Sequence, residues 1–350
     1  MSGENASFLN RLGIELPILQ APMAGTSTPA MASAVSDAGG LGGIAVGAAG
    51  PSVARETIAN YRARTNRPFN VNVFCHAPAR ADAEREAAWI ERLRPRFAEL
   101  GATPPAALSE IYTSFVEDDD MLALFLAERP KVVSLHFGLP DAARLRALKD
   151  AGILLLATAT SLEEARTLAA AGVDAIVAQG FEAGGHRGVF DPDAPDEKLG
   201  TFALTHILAR EIDLPIVAAG GIMDGAGVAA ALTLGAAAAQ LGTAYIATDE
   251  SAADEGHRAA LFSDAAHRTV MTRAISGRPA RCLANRFTAL GLDAEAPAYP
   301  IAYDLGKALN AAGKSAGERG YGAQWAGQGA PLARKMSAGA LTRSIAAEIR

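Results

Sequence analysis

The 350-residue sequence predicts an α/β protein: a TIM-type (β/α)8 barrel carrying a helical substrate cap built from two insertions. Three observations predict it. Short apolar runs alternate with longer amphipathic stretches, as in a parallel sheet with crossover helices. Eight such runs occur. Several of them lack polar alternation, as strands buried on both faces do. An open doubly wound sheet is the competing architecture, because closure is not written in the sequence.

The candidate strands are Pro17–Gln20, Gly43–Val46, Phe69–Phe74, Lys131–His136, Ile153–Thr158, Ala175–Gln179, Pro215–Ala219 and Ala237–Gly242. Ala-rich helical patterns lie between them, such as Gly225–Leu234 and Ser161–Ala171. The second of these opens on Ser161 and Glu164, a capping box. Ala170–Gln179 and Thr233–Gln240 share one rhythm: a helix end, a turn glycine, then a small-residue strand closing on Gln. Two stretches exceed the repeat. Ala81–Arg129 reads as two or three helices, and Ser251–Tyr321 as helix followed by loop. The expected organisation is therefore barrel residues 1–80 and 128–250, cap residues 81–127 and 251–320, and a C-terminal segment 321–350. Its helix, Ala333–Arg350, is expected to pack back on the barrel.

Half the residues are hydrophobic and 20% charged, an ordinary globular balance. The 35 glycines sit at the ends of apolar runs, where turns and close backbone approaches need them. A net charge of −6 argues against nucleic acid or an anionic membrane as partner. Cys75 and Cys282 show no metal-ligand spacing, so no metal is expected. A disulfide between them is the lesser expectation beside a reducing cytoplasm. Neither a signal peptide nor an apolar run of transmembrane length is visible, which also favours a cytoplasmic location.

The strongest ligand signal follows strands seven and eight, where barrels often bind phosphate through backbone N–H groups. There Gly220, Gly221 and Gly242 admit close approach, and Thr243 adds a hydroxyl. Unligated turn glycines are the plain alternative. After the first strand, Gln20-Ala-Pro-Met-Ala-Gly25 forms a backbone-rich turn. Asn70 and Asn72 lie in a strand, where Asn is unfavourable by propensity and needs a partner. A flat heteroaromatic ring would supply one for Asn70 and for Gln179; a structural bond is as good an explanation for Asn72. In Glu182-Ala-Gly-Gly-His186-Arg-Gly188 two glycines precede a histidine suited to proton transfer, although a lone loop histidine is more often solvated. His136 ends the fourth strand at the same face, where it is either a site residue or a satisfied core histidine. Tyr299, Tyr303 and Lys307, spaced by four, share a face if helical, but Pro300 starts the helix after Tyr299.

These segments, with Tyr299-Pro-Ile-Ala-Tyr303-Asp-Leu-Gly-Lys307 and Trp325-Ala-Gly-Gln-Gly329, resemble class I nitronate monooxygenases from about residue 10 to residue 345. The resemblance implies non-covalent FMN held by Pro22, Met23, Asn70, Gln179, Gly184, Gly220, Gly221, Gln240, Leu241, Gly242 and Thr243. It implies that His186 is catalytic, as an imidazolium, a hydrogen-bond donor or a base. Tyr112, His136, Tyr245, Tyr299, Tyr303 and Lys307 fall where the family places its substrate pocket. The implied reaction is oxidation of an alkyl nitronate, such as propionate 3-nitronate, by O2 to a carbonyl compound and nitrite. The protein would work as a monomer or homodimer. An FMN-dependent enoyl-acyl-carrier-protein reductase or an NAD(P)H:quinone reductase would use a similar barrel, and a non-catalytic FMN-binding barrel would keep only the glycines.

Overall fold

A computed structural model describes residues 3–292 and 295–349. The expected outer limits, residue 1 and Arg350, lie outside the described residues, as do Asp293 and Ala294 within the second insertion. Eight parallel strands pair in one sheet: Ile18–Gln20, Gly42–Ala45, Phe69–Phe74, Val132–His136, Leu154–Ala159, Ala175–Gln179, Ile216–Ala219 and Ala238–Leu241. The first strand pairs with the eighth. Its other edge meets the second at a parallel bridge between Leu19 and Leu41, with Gln20 N–H on Leu41 O at 2.9 Å. The sheet therefore closes as a barrel, and the open-sheet alternative falls.

Helices start where side chains cap them. Thr28, Asp141, Ser161 and Asp224 each accept a backbone N–H of the first turn, which satisfies a donor the helix itself cannot. Glu164 departs from the expected capping box. Its carboxylate passes the Ser161 cap to reach Thr160 N and Oγ1 and, across a gap, Phe190 N at 2.8 Å. It thereby ties a helix start to the loop that follows His186.

The helix Gly3–Leu12 precedes the barrel and buries Phe8, Leu9 and Leu12 among barrel residues such as Val132, Leu156 and Val217. Nothing in the sequence reading anticipated this plug. The insertions also divide differently from expectation. Helix Ala83–Glu99 packs on helix Ile301–Ser315 through Trp89, Leu93 and Phe97 against Ala302, Leu305 and Leu309. Helix Asp119–Glu128 instead puts Met121, Leu124 and Phe125 into the barrel's own core, so it belongs to the outer ring and not to a cap ending at residue 127.

The second insertion is not wholly helix and loop. Thr269–Thr272 and Ala280–Leu283 form an antiparallel pair, and the latter also pairs with Gly185–His186. The C-terminal helix Ala338–Glu348 packs between helices Pro29–Asp37 and Gly225–Thr233. Cys75 and Cys282 are not joined by a disulfide. Among the described residues, no helix is long and apolar enough to cross a membrane.

Candidate active site

The C-terminal ends of the strands open into one cavity of about 450 Å³, within the range of small-molecule and cofactor sites. Its wall includes Pro22, Met23, Tyr112, His136, Gln179, Gly184, His186, Gly220, Gly221, Gln240, Gly242, Thr243, Tyr299, Tyr303 and Lys307. Three residues expected there are not on it. Tyr245 is fully buried in the layer under the C-terminal helix, and its hydroxyl bonds Thr342 Oγ1 at 2.9 Å. It lies two residues after Thr243 on the helix Thr243–Ile246, which turns it to the opposite side from that cavity-lining threonine. Leu241 points its side chain into the same outer layer. Asn70 lies below the cavity and donates to Ser134 Oγ at 2.9 Å, while Asn72, one inward position further up the strand, reaches the wall.

One side of the cavity is a cradle of backbone. Gly220 and Gly221 take φ of 120° and 70°, values that L side chains rarely adopt. The N–H groups of Gly221, Ile222, Gly242 and Thr243 meet no acceptor among the described residues. Thr243 Oγ1 accepts from Gly327 N at 2.9 Å, which leaves its own proton to donate. Convergent unpaired donors suit a phosphate. The residues present therefore fit the phosphate end of a mononucleotide cofactor.

Gln179 and Gly184 lie on the cavity wall, where they also hold the histidine loop. Gln179 Oε1 accepts from Gly188 N at 2.7 Å and its Nε2 donates to His186 O at 3.0 Å, so the amide fastens the histidine loop at both ends. A Cβ at Gly184 would meet the Gly327 backbone, so this glycine lets the loop lie against the Trp325–Gly329 stretch. Gly185 and His186 face Arg281 and Ala280 as an added strand, which sets the direction of the imidazole. Arg187, 2% exposed, forms a two-pronged ion pair with Asp196 at 2.8 and 3.0 Å and donates to Gln179 O. Arg187 was not singled out by the sequence reading, since its partner lies nine residues on in an irregular loop.

His186 stands at the centre of an aromatic cluster. Its ring centroid lies 5.1 Å from that of Trp325, 5.3 Å from Tyr299, 5.8 Å from Phe137 and 6.2 Å from Tyr303. Its Nε2 meets Ser276 Oγ at 2.9 Å. His136 Nε2 lies 3.3 Å from His186 O, so it is the protonated nitrogen, and Nδ1 at 3.0 Å from Thr158 Oγ1 accepts. Both nitrogens of His136 are thus committed, and it supports the loop.

Burial, then the neighbouring His136, Arg278 and His76, push the His186 pKa down to about 3. Burial does the same for His136 and His76, to about 4. Burial therefore favours the neutral ring at His186. Arg278 remains a cation, lowered by burial only to about 10, and stacks 4.2 Å over Phe137. It donates to Val189 O and Phe190 O and forms no ion pair among the described residues. Phe137 itself holds φ at 76°, which is strained for a bulky residue.

A stability prediction follows. Unfolded histidines take up a proton near pH 6.5, these folded ones only near pH 4 or below. Between those limits the unfolded state holds more protons. Stability should rise with pH from about 4 to 6.5 and level off above, by up to about 1.4 kcal/mol per pH unit for each histidine. Thermal melting should show Tm falling steeply from pH 7 to pH 5. A flat Tm there would contradict neutral buried histidines.

At the rim, helix Ile301–Ser315 presents Tyr303 and Lys307, while Tyr299 precedes it across a cis peptide to Pro300. Lys307 Nζ lies 4.6 Å from the Tyr112 ring centroid and 5.2 Å from that of Tyr303. It makes no ion pair among the described residues: Asp304, one turn earlier, is bonded to Ser109. Among the described residues no carboxylate lines the cavity, and Lys307 carries the one formal charge on its wall.

Comparison with known proteins shows the family. A family model described as nitronate monooxygenase matches residues 6–348. The chain is 62% identical over 347 residues to a nitronate monooxygenase of Paraburkholderia phytofirmans, covering 98% of this chain and 95% of that one. It is 51% identical over 349 residues to that of Pseudomonas aeruginosa, covering 98% and 99%. Among solved structures, a nitroalkane oxidase from Streptomyces ansochromogenes superposes with a TM-score of 0.88 at 41% identity, covering 99% and 97%. FabK from Thermotoga maritima superposes at 0.75 and 30% identity, covering 98% and 95%.

Proposed function

Because the chain belongs to the nitronate monooxygenase family, we propose that it uses non-covalently bound FMN and O2 to convert alkyl nitronates to a carbonyl compound and nitrite. Propionate 3-nitronate is the leading substrate. The observation that carries this reading is one cavity with two unlike halves. A cradle of free backbone donors faces an aromatic chamber with a neutral histidine, an unpaired lysine and no carboxylate.

Gly220, Gly221, Gly242 and Thr243 would hold the phosphate, and Pro22 and Met23 would border the ring system. When bound, FMN supplies the electron transfer and reaction with oxygen. The protein's share is orientation, exclusion of water and charge. Tyr112, Tyr299, Tyr303 and Trp325 surround the substrate and keep solvent out. His186, neutral, lies on the chamber wall beside the reacting group. Lys307 attracts an anion into a chamber where nothing repels it, and Arg278 adds positive potential from behind Phe137.

Yellow protein that releases nitrite and consumes O2 with propionate 3-nitronate supports the proposal. Yellow protein without nitrite contradicts it and leaves an FMN barrel. Lys307→Met should raise KM for propionate 3-nitronate about five-fold, in keeping with roughly 1 kcal/mol for a rim charge pair, and leave ethyl nitronate little changed. Equal effects on the two substrates would remove Lys307 from carboxylate recognition.

A further inference from the structure

We infer that Ser276 is a positioning residue that fixes His186 in one tautomer, with Nδ1 presented to the cavity as a proton acceptor. This rests on the reading of His186 as the reactive side chain.

Ser276 is fully buried and absent from the cavity wall, so it does not meet substrate and is no nucleophile. It has one hydroxyl proton and two neighbours that could take it: His186 Nε2 at 2.9 Å and Arg278 O at 3.3 Å. The carbonyl decides between them. Arg278 is 3% exposed, and its carbonyl meets no other donor among the described residues. A buried carbonyl left without a donor is costly, whereas an imidazole can serve as donor or acceptor at either nitrogen. The hydroxyl proton therefore goes to Arg278 O, the serine oxygen accepts, and His186 carries its proton on Nε2. The lone pair is left on Nδ1, which no protein group occupies.

The backbone holds this choice in place. Ser276 and Arg278 lie in the turn between Thr269–Thr272 and Ala280–Leu283, the strand to which His186 is paired. Donor, acceptor and imidazole thus belong to one small sheet, and the ring cannot turn over without breaking the Ser276 bond.

The consequence is chemical. A neutral nitroalkane could lose its α-proton to Nδ1: the C–H bond breaks, its electron pair stays on the substrate as the nitronate, and His186 becomes doubly protonated. The nitronate formed alongside offsets the buried charge. No external oxidant is needed for this step. The enzyme should therefore accept neutral nitroalkanes besides their nitronates.

The test is 15N NMR of histidine-labelled protein as purified, with the His186 resonances identified by their loss in His186→Asn. The expected result is protonated Nε2 and unprotonated Nδ1 in the wild type, and a mixture in Ser276→Ala. Protonated Nδ1 in the wild type overturns the inference, and so does an unchanged tautomer in the variant. Kinetics give a second readout. Ser276→Ala should lower the ratio of kcat/KM for nitroethane to that for ethyl nitronate about ten-fold, and Ser276→Thr should restore it. An unchanged ratio overturns it as well. Should nitronate oxidation itself fail, the NMR result still scores the tautomer; should Ser276→Ala not fold, the wild-type spectrum alone decides.

Discussion

His186→Asn is expected to lower kcat/KM for neutral nitroalkanes about 100-fold or more, with nitronates less affected, while the flavin stays bound. Loss of a positioned proton-transfer group typically costs 10²–10⁴-fold. Asparagine is short and polar enough to occupy the site but presents no ring nitrogen to the cavity. The loop should survive the change, because it is held by backbone groups: His186 O by Gln179 and His136, Gly188 N by Gln179, and Gly185–His186 by the neighbouring strand. Flavin absorbance after gel filtration separates the two effects. Unchanged turnover of nitroalkanes would remove His186 from the chemistry, and loss of flavin would make it a structural residue.

The second large effect is expected at Arg187→Met. This guanidinium is 2% exposed and joins three pieces of chain: Asp196, Gln179 O and, at 3.4 Å, Thr160 O. Removing one partner of a buried ion pair costs about 3–5 kcal/mol, because the other is left uncompensated. For a chain of this size that corresponds to a fall in Tm of roughly 4–7 °C. The histidine loop would loosen together with the cavity wall, so flavin occupancy should fall in parallel. Asp196→Asn, which keeps an acceptor and lies nearer solvent, should cost less. Thermal melting of both variants checks the order; equal or negligible shifts would mean that Arg187 does not anchor the loop.

The barrel was legible because its strands are apolar runs buried on both faces, a pattern that depends on nothing distant. The glycine-lined side of the cavity was legible for a related reason: Gly220, Gly221, Gly242 and Thr243 follow strands at the end of the barrel where ligands gather. What the sequence left unread depended on depth or on distant partners. Asn70 and Asn72 point the same way, yet sit about 7 Å apart along the strand, and only the upper one reaches the cavity. Tyr245 follows Thr243 by two residues on a helix, which sends it to the far side. Gln179 was read as a partner for the cofactor, and its hold on the histidine loop was not seen, because Gly188 folds back on it through a turn that the sequence does not announce.

The small sheet carrying His186 left a signal that went unused. Thr269-Val-Met-Thr272, then Ser276-Gly-Arg-Pro279, then Ala280-Arg-Cys-Leu283 reads as strand, turn and strand. Reading it would have brought Ser276 and Arg278 toward the site. Their pairing with a segment some ninety residues earlier would still have needed the fold.

The central claim is that this cavity handles nitronates and that its flavin is not a station for nicotinamide reduction. The most direct measurement is anaerobic stopped-flow absorbance of the purified flavoprotein mixed separately with propionate 3-nitronate and with NADPH. The account predicts rapid loss of oxidised-flavin absorbance with the nitronate and almost none with NADPH. Rapid bleaching by NADPH with no response to the nitronate would contradict it and identify a reductase on the same barrel.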